Sequence, residues 1–585
     1  MKLGLALSGG GFRAAFFHVG ILAQMAMLGL LRHVEVISTV SGGSIIGALY
    51  YLRVKRLLDE HADNAITDEM YLNEVMKIEE EFLKAVQCNI RMRTFSNPLK
   101  NIKMALPHYS RSDRIGELYD ELIYRPAFDA ARSAPIRMRE LKVSPKDPKK
   151  NAIENFYPRT DNALLHREAK VPILLINATT LNTGHNWRFT ASSMGEPPRK
   201  GSIVEDIDKN LRLRRPPSYD DIIRKQQDIE LGLAVAASAC VPGLFHPLAI
   251  TDLYPDDIRV QLVDGGVHDN QGIQGLLDEE CTHFIVSDAA GQLTDESDPL
   301  TQIPAVLTRS NNILMERVRE EELFRLLQDK PVAFMHLRKG LDAKAICWNG
   351  PDGKPAEATI FKKERTPKTS SEAFGVSPKV QERLSWIRTD LDSFTEVEAF
   401  SLMLDAYKMS AVELSNSKEI KDLIKPIPRQ PTNPWAFSNG RIENEMSRPS
   451  EPNLRQLEVA KERLFKIFRL SLPVPIVTVL IVLAVVGGLG YMLWDKMMTL
   501  WSYPVTVGEL GLAGIFLASG FIPKLTRILQ VLRIFRAPTE FLVRLVVRGL
   551  LPAIGSVFVW LHLLIFDRLF LSYGKVENLT KPLSH

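Results

Sequence analysis

The hydrophobic pattern at the N-terminus is short and regular. Leu3–Leu7 is an apolar run that stops at Ser8-Gly9-Gly10-Gly11, and a stretch with helical spacing follows from Phe12 to Leu30. Val34–Thr39 is a second, β-rich run, and Gly42 to Leu58 reads as a second helix. Two short strands that each feed a helix predict a parallel sheet with crossover connections. Further on, 71–86 and 115–124 carry helical patches, and 137–150 reads as a polar, basic surface loop. Val171–Thr179, Leu231–Ser238, Val260–Val263 and Phe284–Ser287 are apolar segments of strand length. The stretch 341–375 is rich in Pro, Lys, Glu and Ser, as expected of a loop or insertion. Phe394–Leu414 has the spacing of an amphipathic helix and is expected to close a domain over 1–415.

The pattern then changes. Residues 416–460 are expected to be a linker, because prolines recur from 425 to 452 without a sustained period. Residues 461–585 read as a membrane region. Val474 to Trp494 holds no charged side chain, and at a rise of 1.5 Å per residue it measures about 30 Å, the thickness of a bilayer core. Two further spans are expected at 504–523, interrupted by Glu509, and at 549–566. Lys461, Arg463, Lys466 and Arg469 precede the first span, and six basic residues lie between 524 and 548. The positive-inside rule then predicts an integral membrane protein whose N-terminal domain faces the cytoplasm.

Composition changes this picture little. The 585 residues exceed one ordinary core, consistent with a catalytic domain plus appended parts. A net charge of +4 gives no reason to expect a nucleic-acid partner. Cys88, Cys240, Cys281 and Cys347 lack the spacing of a zinc or redox motif and are expected to be free thiols. The apolar run after Met1 is too short for a secretory signal and reads as a strand.

Three motifs carry candidate chemistry. Gly9-Gly10-Gly11-Phe12-Arg13 joins a strand to a helix, where exposed amides and the helix N-terminus suit an anion. It has neither the Gly-Lys-Ser/Thr ending of a P-loop nor the spacing of a dinucleotide fingerprint. Thr39-Val40-Ser41-Gly42-Gly43 places a serine between a strand and a helix, as in a nucleophile elbow, with Thr39 where Gly-x-Ser-x-Gly has its first glycine. Asp264-Gly265-Gly266 ends the run Val260–Val263. Each alone has a plain structural explanation: a glycine turn, a helix N-cap and an Asx turn.

In this order and context the three resemble the patatin-like phospholipase family. Ile176–Thr180 with Thr183-Gly184, Ala237–Phe245 and Val286–Ala289 add to the likeness, which extends over roughly 1–415 and leaves the C-terminal region outside. The resemblance implies an α/β protein, a three-layer α/β/α fold around a mostly parallel sheet. It implies a Ser–Asp dyad with Ser41 as nucleophile and Asp264 as base, an oxyanion hole from Gly9, Gly10 and Gly11 with Phe12, and Arg13 holding that loop. Neither a metal nor a cofactor is implied. His18, His246 and His268 are expected to pack or make local hydrogen bonds rather than act as the base. The expected activity is a membrane-anchored lipid acyl hydrolase of the phospholipase A or lysophospholipase type. Its substrate would be a membrane phospholipid or another acyl lipid. An acyltransferase using the same acyl-serine, or an inactive membrane scaffold, are the alternatives.

Overall fold

The computed structural model describes residues 1–104, 106, 109–149, 151–198, 209–342, 346–351, 353–354, 370–427, 434–501 and 551–579. The chain divides into two compact units. One comprises Met1–Thr94, Arg111–Arg463 and Leu571–Thr580; the other comprises Phe95–Ser110, Leu464–Phe570 and Lys581–His585.

The first unit is built on a mixed sheet of β1 (Leu3–Leu7), β2 (Val34–Val40), β3 (Ile173–Thr180), β4 (Asn186–Phe189), β5 (Met194–Gly195), β6 (Leu248–Ile250), β7 (Val260–Asp264), β8 (His283–Asp288) and β9 (Val332–His336). Its centre, β3-β2-β1-β8-β9, is parallel throughout. The main helices are α1 (Gly11–Met27), α2 (Gly42–Glu60), α3 (Asp68–Gln87), α4 (Arg111–Tyr119), α5 (Leu231–Ser238), α6 (Ile303–Asp329) and α7 (Glu396–Asn416). Alternation along the strands divides the core in two. Leu5, Leu7, Ile37 and Ile285 join α1, α3 and α7 on one face, while Ala6, Val36, Phe284 and Val286 meet Ile273, Leu276 and Leu326 on the other. Both faces are covered, so the central strands read as continuous apolar runs.

One detail of register positions the site. β2 runs parallel to β3 and ends with Val40 opposite Asn177. β7 runs antiparallel along the same edge of β3 and ends with Asp264 opposite Ala178. The C-terminal ends of the two strands therefore meet head to head. The residue after Val40 is Ser41.

Several expectations are corrected. Leu231–Ser238 is a helix, not a strand. It is buried nearly all round and rich in small residues, so no helical stripe shows in its sequence. Gly232 lets it approach α4 so closely that a Cβ there would collide with the Gly116 carbonyl. The 137–150 loop also carries core: Met138 and Leu141 are fully buried in a short helical turn. The expected linker is largely packed into the first unit. Trp435 stacks on Phe437 at 5.6 Å, and the Phe437 amide donates to the buried Glu79 carboxylate at 2.8 Å. Pro452 sits in the first turn of helix Glu451–Val459, where proline is a favoured helix starter and not a sign of extended chain. Pro428 and Pro431 lie outside the described residues.

The membrane region also departs from its expected outline. The span expected at 504–523 and the basic segment 524–548 lie outside the described residues. Pro473–Trp501 is helical, with Pro473–Ala484 a short apolar stretch of it. The described helix long and apolar enough to cross a membrane is Leu551–Tyr573, 23 residues with a mean hydropathy of 1.8. It passes through the predicted end at 566 and carries Asp567 and Arg568. After it the chain rejoins the first unit. The Val397 amide donates to the Gly574 carbonyl at 3.1 Å, the Val576 amide donates to Glu396 at 3.1 Å, and Leu579 enters the core.

Candidate active site

Ser41 sits between β2 and α2 with φ 48° and ψ −115°. A non-glycine residue there costs about 1–3 kcal/mol and persists only where its surroundings hold it. A directional chain of hydroxyls does so. The Thr39 hydroxyl donates to the Leu175 carbonyl at 2.9 Å and so accepts from Ser44 at 2.9 Å. Ser44 in turn accepts from Ser238 at 2.8 Å, and Ser238 accepts the Ser41 backbone amide at 2.9 Å. Thr39 therefore closes a chain that ends on the Ser41 backbone. Its methyl occupies space that opens one helical turn into α2. A Cβ on Gly47 would come within 2.5 Å of Thr39 Cγ2, so the glycine missing at 39 is compensated at 47.

Gly42 and Gly43 serve a different need. A Cβ on Gly42 would strike the Gly11 carbonyl, and one on Gly43 would strike the Leu7 carbonyl. Only bare backbone lets α2 start this close to the glycine loop, where the Gly43 amide donates to the Ser8 carbonyl at 3.0 Å.

The structure brings Asp264 to Ser41. Asp264 lies beside Ser41 where the two strand ends meet, and its Oδ1 accepts the Gly266 amide at 2.8 Å. Burial raises the Asp264 carboxyl to about 6, against the opposing pull of the Gly266 amide and the Ser41 hydroxyl. The Asp264 backbone is pinned by its amide to the Cys240 carbonyl and by the Thr179 hydroxyl to its own carbonyl, both at 3.0 Å. Cys240 is itself buried, and burial pushes its thiol up to about 12, too protonated to compete as a nucleophile.

Fewer amides of the glycine loop are open than its sequence implies. The Gly9 amide donates to the Asn270 carbonyl and the Phe12 amide to the Asp390 carbonyl, each at 3.0 Å. The amides of Gly10 and Gly11, with φ of 132° and 58°, donate to no described residue. Arg13 is buried, and burial lowers its guanidinium to about 10. It donates to the carbonyls of Ala289 at 2.9 Å, Ser385 at 3.0 Å and Ile387 at 2.8 Å. It thus ties the loop to two distant segments and does not point into the site.

The histidines lie elsewhere in the hydrogen-bond pattern. His18 is fully buried between Ser287 at 2.7 Å and the Ser8 carbonyl at 3.0 Å, and burial lowers it to about 4. His246 and His268 are tied here through their backbones, the His246 carbonyl to Ser112 and Cys240 and the His268 amide to Gly265. Ser238 and Asn270 are site residues that received no role from sequence. Asn270 Oδ1 lies where side chains on Gly9 or Gly266 would be, between the glycine loop and the Asp264 turn. Among the described residues no group of three or more His, Cys, Asp or Glu is placed to hold a metal ion.

Comparison with known proteins follows this geometry. No curated protein matches the sequence. Among solved structures, human GIVD cytosolic phospholipase A2 in complex with methyl gamma-linolenyl fluorophosphonate and terbium chloride aligns at 14% identity and a TM-score of 0.34, covering 72% of this chain and 59% of that one. VipD from Legionella pneumophila aligns at 13% identity and a TM-score of 0.25, covering 99% of this chain and 90% of that one. Residues 5–277 match the patatin-like phospholipase family model, and the glycine loop, the Ser41 elbow and the Asp264 turn all lie inside that matched segment.

Proposed function

We propose that this protein is a lipid acyl hydrolase that cleaves fatty acyl esters of phospholipids or lysophospholipids through an acyl-Ser41 intermediate, with Asp264 as its base. The observation that carries this reading is the pairing of a strained, nearly buried serine with a buried carboxyl raised to about 6. A carboxylate near pKa 4 is a weak base for a hydroxyl, and raising it brings it closer to the working range. Ser41 Oγ attacks the ester carbonyl carbon and its proton passes to Asp264. The oxyanion takes hydrogen bonds from the free Gly10 and Gly11 amides. Asp264 returns the proton to the leaving alkoxide. Water then attacks the acyl-serine, giving one proton to Asp264, which restores the Ser41 hydroxyl as the fatty acid departs.

Anchoring at a bilayer belongs to the same proposal. It is supported by the apolar helix Leu551–Tyr573, and the basic residues at 461–469 favour a cytoplasmic face for the N-terminal unit. The test is covalent labelling by a fluorophosphonate, in which Ser41 Oγ bonds to phosphorus and fluoride leaves. Labelling and release of fatty acid from phosphatidylcholine should both vanish in Ser41→Ala. A folded wild type that neither labels nor hydrolyses ester would end the catalytic reading.

A further inference from the structure

A second candidate site lies at the β5 edge of the sheet. A cavity of about 780 Å³ opens beside β5, walled by Tyr157, Arg159, Arg212, Arg214 and Arg215 between two proline pairs. That volume is in the range of small-ligand pockets. Local backbone geometry concentrates the arginines there. Glu196 pairs with Arg214 in a short parallel bridge, and Gly195 lets the Arg215 backbone come within 2.7 Å of where a Cβ would stand. Arg212, Arg214 and Arg215 are thereby laid along one edge.

The carboxylates nearby are already engaged. Arg159 makes a two-pronged pair with Glu279, at 2.8 and 2.5 Å. Arg188 pairs with Asp278 at 2.6 Å. Glu196 accepts from Thr183, from His185 at 3.1 Å and from the Leu213 amide at 3.2 Å. Arg214 and Arg215 form no ion pair with a described residue, and Arg215 is half-buried with Arg159 and Arg188 as like-charged neighbours. Burial first, and then Arg159, lower its guanidinium. Glu279 also faces Arg215 but is already held by both prongs of Arg159, so a half-buried Arg215 gains from a further anion.

We propose that this cavity binds a phosphate monoester, held by the guanidinium forks of Arg215 and Arg214 with Arg212 alongside. A dianion balances two guanidiniums that form no ion pair with a described residue, whereas a carboxylate would leave one charge over. Planar guanidinium forks match phosphate oxygens in pairs. The phosphate can belong to an anionic lipid headgroup or to a soluble molecule. The proposal does not depend on Ser41 and is tested in its absence.

The full chain carrying Ser41→Ala, in nonionic detergent micelles, is titrated with inorganic phosphate against sodium chloride of equal ionic strength. A parallel arm compares micelles containing phosphatidic acid with micelles containing phosphatidylcholine. Saturable stabilisation by phosphate or phosphatidic acid is expected, with at least a tenfold weakening in Arg215→Gln and a larger loss in Arg214→Gln/Arg215→Gln. A response to phosphatidic acid alone identifies a lipid headgroup, and a response to both identifies the phosphate group itself. In phosphate-free buffer Arg215→Gln should melt no lower than its parent, because it removes a half-buried cation that has no ion pair with a described residue. A parent that responds to neither probe, a variant that responds like the parent, or a phosphate-free Arg215→Gln that melts lower would overturn the proposal.

Discussion

At the scale of single residues, the proposed role of Asp264 as base would link activity and stability with opposite signs. Its carboxyl must be ionised to accept the Ser41 proton, so kcat/KM should rise with pH through a midpoint near 6, as read from a pH–rate profile with a water-soluble ester. The folded value of about 6 lies above the ordinary 3.8, so the folded form holds this proton more tightly than the unfolded chain. The stability contributed is full below 3.8 and is lost as pH rises through about 6. Asp264→Asn should therefore abolish hydrolysis while raising unfolding stability at pH 7.5 by up to about 3 kcal/mol, measured by urea denaturation. Thr39 and Gly47 make a second residue-scale case. Gly47→Ala should cost about 1–3 kcal/mol through overpacking against the Thr39 methyl. In a Thr39→Gly background the same change should cost much less, and a double-mutant cycle measures the coupling.

At the scale of elements, the site depends on supports far from it in sequence. The segment 387–394 braces the glycine loop. Ile387 accepts Arg13, Asp390 accepts the Phe12 amide, and Phe394 packs on Phe16 with ring centroids 5.4 Å apart. Arg388 holds this segment through buried Asp392, at 2.6 Å, and Glu398, through the Ala460 carbonyl at 2.7 Å, and over the Phe394 ring at 4.4 Å. Arg388→Met leaves two buried carboxylates without their partner, so a loss of about 3–5 kcal/mol is expected in urea unfolding. These supports explain what the sequence revealed and what it hid. β1, β2 and the helices after them were legible because apolar runs, glycines and a strand-to-helix change all fall within 60 residues. Ser41 and Asp264 were picked out as candidates through their glycine neighbours. That Gly9 and Phe12 have their amides taken was not legible, because the carbonyls that accept them come from Asn270 and Asp390. Ser238 escaped because its partner is a backbone amide nearly 200 residues away. α5 was misread because a buried run of small residues has no period.

At the scale of the molecule, the first unit is discontinuous: its chain departs at Arg463 and resumes at Leu571. Deleting 453–585 removes Leu457 and Leu579 from its core and the backbone bond at Gly574, so that truncation should give aggregated, inactive protein. Excising 464–570 and joining the ends with a flexible linker should retain more folded protein, compared by size-exclusion chromatography and circular dichroism. The discontinuity also sets an order of events during synthesis. A ribosome delivers Ser41 and Asp264 early, but the residues that complete their unit emerge only after the apolar helix 551–573 has been made. A nascent chain stalled near residue 500 would lack them, and arrested chains of increasing length should gain fluorophosphonate reactivity only once 579 has cleared the exit tunnel. On the proposed reading, hydrolysis would thus begin only after the apolar helix 551–573 has been made, and a chain cut short before it would carry Ser41 and Asp264 without the unit that positions them.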